Sequence, residues 1–154
     1  MKIVRYPHVS AHQRGATLLE VLIAVLVLSV GLLGVAALQA SALRNSQSSY
    51  ERSQASILTY SLFDAMRADM ASVASYNTGG QLCAPPVGAS LRDTQLSDWM
   101  GNLKANLGNA ATTCVSIAGC GAAPVANCVV TIEWNDSRGT GGNATESITT
   151  ETRL

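Results

Sequence analysis

From residue 21 to residue 43 the chain carries no charged side chain, and residues 21–38 are apolar apart from a single hydroxyl, Ser29. At the α-helical rise this charge-free stretch of about 23 residues reaches about 35 Å, more than the roughly 30 Å of a bilayer's hydrocarbon core. The pattern predicts a helix long enough to cross a membrane. One carboxylate, Glu20, stands at its head. Burying such a group in lipid costs about 2.5–3.5 kcal/mol on insertion scales, so it reads as a group awaiting a positive partner.

Beyond the apolar run, residues 36–76 contain neither proline nor glycine. Apolar residues recur at Leu58, Leu62, Met66, Met70 and Val73, with Ile57 and Phe63 widening the stripe. Steps of three and four predict an amphipathic helix, continuous with the first, over residues 17–75. Nearly sixty residues would extend about 90 Å, apolar all round in the first half and one-sided in the second. The Met66 and Met70 stripe reads as core packing against a sheet rather than a cofactor contact. Gly31 and Gly34 each cost about 1 kcal/mol of helix stability relative to alanine. They mark either a weak point in the helix or a place where small residues let another helix approach.

Asn77-Thr78-Gly79-Gly80 is a stop signal, and Ala84-Pro85-Pro86-Val87-Gly88 is irregular connection. A short helix is predicted from Leu96 or Ser97 to Leu107, with Asp98 near its start and Trp99, Leu103 and Leu107 on one face. Residues 112–117 and 128–134 are rich in β-branched side chains, with Gly119, Gly121 and Pro124 between them, and predict an antiparallel pair. A threonine-rich third strand over residues 147–153 suits an exposed edge. The fold class is α+β: a long N-terminal helix packed on a small antiparallel sheet. No internal repeat is present. Roughly eighty residues lie beyond the long helix, few for a self-supporting core, so cross-links and the second half of the helix should both be needed.

Composition then narrows the chemistry. All four cysteines, Cys83, Cys114, Cys120 and Cys128, fall after the apolar run. They lack C-x-x-C spacing, and the only histidines, His8 and His12, lie before it, which disfavours a zinc site. Two disulfides are expected, and four cysteines allow three connectivities. The short step from Cys120 to Cys128 leans toward pairing those two, and Cys83 with Cys114, without settling the choice. Without a nearby imidazole, nucleophilic hydrolysis has no usual base. Asp93, Asp98, Glu133 and Asp136 could supply an acid–base pair only if the fold brought them together. Residues 135–139 read as a polar turn rather than a cation site, and Asn143-Ala144-Thr145 as a chance glycosylation match. No catalysis, cofactor or metal is expected. No basic stripe with interleaved aromatics is present, which argues against nucleic-acid binding.

The residues at the head of the apolar run carry a resemblance. Arg14-Gly15-Ala16-Thr17-Leu18-Leu19-Glu20-Val21 is similar to the class III signal of type IV pilins and of the pseudopilins of type II secretion. The resemblance implies a basic leader cleaved after Gly15, a methylated N-terminus at Ala16, and Glu20 as the acid at position five of the mature chain. It departs from the common pattern at Ala16, where most members carry phenylalanine. Cleavage would leave seven basic against ten acidic side chains, a formal charge of about −3. Two simpler readings explain less. A secretory signal with cleavage at Ala40-Ser41-Ala42 has an overlong apolar region and no role for Glu20, and a plain anchor leaves the Gly15 to Glu20 spacing unexplained.

The resemblance extends over about residues 14–70 and, loosely, over the head, where it points to minor pilins of the type IV pilus modification class. It implies residues 1–15 as leader, 16–43 as the membrane half of the helix, 44–76 as its amphipathic half, and 77–154 as a disulfide-stabilised head. Lys2, Arg5 and Arg14 would stay cytoplasmic and the head would face the periplasm. Implied partners are prepilin peptidase, other minor pilins, the major pilin and inner-membrane lipid, with a place in a pilus-priming complex at the tip. Gly31 and Gly34 would permit the local unwinding that major pilins undergo on entering the filament. Alternatives are a type II secretion pseudopilin and a tip adhesin.

Overall fold

The computed structural model describes residues 15–108, 111–121 and 127–154, and has the expected α+β class. Helix α1 runs Leu18–Ala68, a 3₁₀ helix follows at Met70–Tyr76, and α2 runs Leu91–Leu107. Strands β1 (Cys114–Ala118), β2 (Asn127–Trp134) and β3 (Glu146–Arg153) close the chain. The chain divides into two compact units, residues 1–39 and 40–154. In the first, every described residue is exposed. The second holds the core.

The sheet is antiparallel in the order β1-β2-β3. Alternation along β2 puts Cys128, Val130, Ile132 and Trp134 on the buried face. There they meet Ala55, Leu62, Phe63 and Met66 of α1 and Leu96, Trp99, Met100, Leu103 and Leu107 of α2. The Trp99 indole N–H donates to the Leu58 carbonyl at 2.8 Å, tying α2 to α1. The two disulfides are Cys83–Cys114 and Cys120–Cys128. The first fixes the connection after the 3₁₀ helix to the start of β1, and the second ties the end of β1 to β2.

The outer edge of β1 is covered. Leu82 exchanges two backbone hydrogen bonds with Val115, at 2.8 and 2.9 Å, and the Thr78 N–H donates to the Ile117 carbonyl at 2.9 Å. The Asn77 amide extends this seam by donating to the Ala74 and Cys120 carbonyls and accepting from the Cys120 N–H. β3 forms the opposite edge, and its residues alternate between half-buried and exposed.

Three expectations about the helices need correction. The α-helix ends at Ala68 rather than near residue 75, because Met70, Val73 and Tyr76 recur in strict steps of three. A 3₁₀ helix repeats every three residues and sets all three on one face, where Val73 and Tyr76 are buried. The buried stripe of α1 runs through Glu51, Ala55, Thr59, Leu62, Phe63 and Met66, which leaves Ile57 59 % exposed on the other side. Two polar members hid that stripe from a hydropathy reading. One, Thr59, tolerates burial because its hydroxyl donates to the Ala55 carbonyl at 2.8 Å. Finally, α2 begins at Leu91 rather than near Leu96. Ser90 caps it, its hydroxyl accepting from the Asp93 N–H at 3.1 Å, and Ser-x-x-Asp is a start signature in its own right.

Candidate functional site

The N-terminal site is built by a helix start. Thr17 precedes α1, and its hydroxyl accepts the Glu20 N–H at 3.2 Å while its carbonyl accepts the Val21 N–H at 3.2 Å. Thr17 therefore satisfies donors that the first turn leaves open. Glu20 lies in that turn, where the positive end of the helix dipole favours a carboxylate. Thr-Leu-Leu-Glu has the capping-box order, a signal for the start of α1 that a search for leader motifs passes over. The same pattern is the plainest structural reason for an acid at residue 20. It does not account for Gly15.

Among the described residues, nothing lies within 4 Å of a Cβ built on Gly15, and the backbone there is not left-handed. Local sterics therefore give no reason for glycine at that point. Gly31 and Gly34 are likewise open: among the described residues, nothing beyond their neighbours and their own helix backbone lies within 4 Å of a Cβ built at either. The Glu20 side chain is exposed and, among the described residues, meets no cation at ion-pair distance.

The segment that follows is long and apolar enough to cross a membrane, and none of it is buried. Leu22, Val25, Leu26, Leu32 and Leu33 all stand more than half exposed. Its one hydroxyl is satisfied internally, Ser29 donating to the Leu26 carbonyl at 2.8 Å, so no side chain in it demands water. Residues 1–14, including Lys2, Arg5, Arg14, His8 and His12, lie outside the described residues.

In the second unit the four candidate carboxylates lie on α2 (Asp93 and Asp98), on β2 (Glu133) and in the turn after it (Asp136). Asp93 accepts from the Ser90 hydroxyl at 2.6 Å and pairs with Arg92 at 2.7 Å. The Ser90 hydrogen bond first, and Arg92 next, hold its carboxyl below the usual aspartate range. Asp98 shares a shallow surface cavity with Asp93, Pro86 and Val87. Glu133 accepts from the Gln81 amide. Asp136 is buried, accepting from the Ser48 hydroxyl at 2.6 Å. Glu133 and Asp136 are each engaged elsewhere, and no cluster of three metal-ligating side chains occurs among the described residues.

The structure shows instead a polar clasp that sequence reasoning missed. The turn after β2 is held to α1 by Ser48–Asp136 and by Arg138, whose guanidinium meets the buried Glu51 carboxylate at 3.3 Å. Gln47 donates to the same carboxylate at 3.1 Å, and Arg52 pairs with Glu146 at 3.0 Å. Asp136 also closes the turn, its carbonyl accepting the Gly139 N–H at 2.9 Å. Residues 135–139 thus form the expected polar turn. Its acid is committed to the helix.

A family described as the prokaryotic N-terminal methylation motif matches residues 10–36. No curated protein and no solved structure matches the chain. The matched residues include Gly15, Thr17, Glu20 and most of the apolar run. They support a type IV pilin-like or pseudopilin-like protein, a class whose members are typically structural. They fit an inner-membrane-anchored, pilus-associated chain and imply leader processing and assembly alongside other pilins.

Proposed function

We propose that the chain is a minor pilin, of the PilV or type IV pilus modification type, that takes part in priming the type IV pilus from a complex at its tip. The observation that carries this reading is the conjunction at the N-terminus. A glycine with no local steric need stands five residues before a carboxylate, and an unburied apolar helix follows at once. On this reading prepilin peptidase cuts after Gly15 and frees the amine of Ala16. The first 15 residues are the leader, residues 16–43 the membrane half of the helix, and the head lies in the periplasm. Reduction of the cysteines would loosen that head.

The mechanism is electrostatic. Glu20 attracts the N-terminal amine of a neighbouring pilin in surroundings where low dielectric strengthens the pair. Thr17 remains in the mature chain, so the capped first turn survives cleavage and presents Glu20 from a formed helix. Apolar packing of residues 21–38 then holds the subunit in the bundle, and the open Gly31 and Gly34 allow the helix to loosen there on leaving the bilayer.

Glu20→Ala should leave membrane insertion intact and reduce recovery of the protein in sheared pilus fractions; undiminished recovery would refute the charge match. A deletion strain tests the assignment itself. Loss of surface pili and twitching is expected, whereas loss of exoprotein secretion with normal pili would make the chain a type II secretion pseudopilin. Normal pili that no longer adhere would make it a tip adhesin.

A further inference from the structure

Gly15, Ala16 and Thr17 lie just ahead of α1, non-helical and exposed. Their side chains do not by themselves forbid an earlier helix start. Alanine is the best helix former, and glycine caps a helix about as well as threonine. A helix capped by Gly15 would begin at Ala16, two residues sooner than the one observed. The Thr17 side chain holds the start at Leu18. Its hydroxyl accepts the Glu20 N–H at 3.2 Å, and its carbonyl accepts the Val21 N–H at 3.2 Å.

The two starts compete for the same donors. In a helix begun at Ala16, the Leu19 N–H would bond the Gly15 carbonyl and the Glu20 N–H the Ala16 carbonyl. In the structure the Thr17 hydroxyl occupies the Glu20 N–H, and neither the Gly15 nor the Ala16 carbonyl accepts a backbone hydrogen bond among the described residues. The Gly15 carbonyl is where the cut proposed above takes place. Water adds to its carbon, the Gly15–Ala16 C–N bond breaks, and the leaving nitrogen takes a proton to become the Ala16 amine. A carbonyl bonded into a first helical turn is closed to that attack, whereas a free and exposed one is open to it.

We propose that Thr17 is a positioning residue for leader removal: its cap fixes the helix start at Leu18 and so keeps the Gly15–Ala16 bond outside the helix, within reach of the peptidase. Thr17 acts through the backbone and touches neither the reacting carbonyl nor the attacking water. The role rests on the reading that the leader is cut after Gly15. The competition between the two helix starts does not depend on it.

The size of the effect follows from helix energetics. Thr17→Ala removes the cap and raises helix propensity at the same position, together a shift of roughly tenfold in the equilibrium between the two starts. With the start at Leu18 as the major form in the parent, the cleavable fraction then falls about two- to fivefold. A smaller competent fraction weakens apparent binding to the peptidase and leaves the chemical step alone.

The test digests the full chain, labelled with ¹³C and ¹⁵N in mild detergent, with prepilin peptidase. Thr17→Ala should lower kcat/KM about two- to fivefold, through KM with kcat unmoved. It should also move the Gly15 and Ala16 carbonyl ¹³C shifts toward helical values and slow hydrogen exchange at the Leu19 amide. Thr17→Ser and Thr17→Asn keep a capping oxygen, so both should be cut like the parent with the helix start unmoved. A Thr17→Ala chain cut at the parent's rate, or one whose helix start has not moved, would overturn the proposal. Thr17→Asn cut as slowly as Thr17→Ala would overturn it too, because the peptidase would then be reading the hydroxyl itself. Failure of the underlying reading looks different: a parent chain left whole, or cut at another bond, removes the leader assignment and this role with it, while the carbonyl shifts still report the helix start.

Discussion

The two disulfides close loops of very different size, and the difference sets a testable order. Cys83 and Cys114 are 31 residues apart, Cys120 and Cys128 only eight. Loop-closure entropy in the unfolded chain gives about 3.7 kcal/mol for the longer loop and about 2.5 kcal/mol for the shorter, a gap of about 1.2 kcal/mol. Replacing cysteines by alanine alone would blur that gap, because Cys120 and Cys128 are core residues and their loss also removes packing. The cleaner comparison takes two chains, each keeping one bridge and carrying alanine at the other pair, and unfolds each in urea in its oxidised and reduced forms. Trp99 and Trp134, both in the core, report unfolding by fluorescence. With an m-value of about 1–3 kcal/mol/M, opening Cys83–Cys114 should lower the midpoint by about 0.4–1.2 M more than opening Cys120–Cys128. Equal shifts, or a larger one for the short loop, would refute the entropic argument and place the stabilisation in the native contacts around β1 and β2.

The start of α2 and the clasp on α1 offer two more tests. Ser90→Ala removes the cap of α2 and should cost about 1 kcal/mol in thermal or urea unfolding. It should also raise the Asp93 titration midpoint seen by NMR. Because the folded carboxyl is depressed, its contribution is present above the unfolded aspartate value and fades as pH falls through the folded one. An unmoved Asp93 titration would show that Arg92, not Ser90, sets it. For the clasp, a double-mutant cycle with Ser48→Ala and Asp136→Ala should give a coupling of about 1.5–3 kcal/mol, as for a hydrogen bond to a charged group. Additive effects would mean that the turn after β2 docks without that bond.

Much of the fold was written in hydrophobic spacing. The uninterrupted run after Glu20, the three strands and the Trp99, Leu103 and Leu107 face of α2 all emerge from side-chain periodicity, which local sterics and burial impose directly. Where packing used polar residues, periodicity failed. Glu51 and Thr59 occupy the buried stripe of α1 because Arg138, Gln47 and a helix carbonyl satisfy them, and those partners come from distant or unexpected places in the chain. A change of helix type at Met70 was visible only in its spacing of three, easily merged with an α-helical stripe. The short step from Cys120 to Cys128 leaned toward the pairing that forms, but spacing alone left the other two connectivities open, because the choice depends on which segments become neighbours. At the N-terminus the residues carried the site by their order, and the structure added that Thr17 caps the turn bearing Glu20 and that Gly15 has no local steric reason to be glycine.

The most direct measurement is the intact mass and N-terminal sequence of the protein extracted from cell membranes and from sheared pili. The account predicts a chain beginning at methylated Ala16, and an unprocessed one when Gly15→Ala is introduced. A product that retains residues 1–15, begins beyond the apolar run, or is cut normally in the Gly15→Ala chain would contradict it.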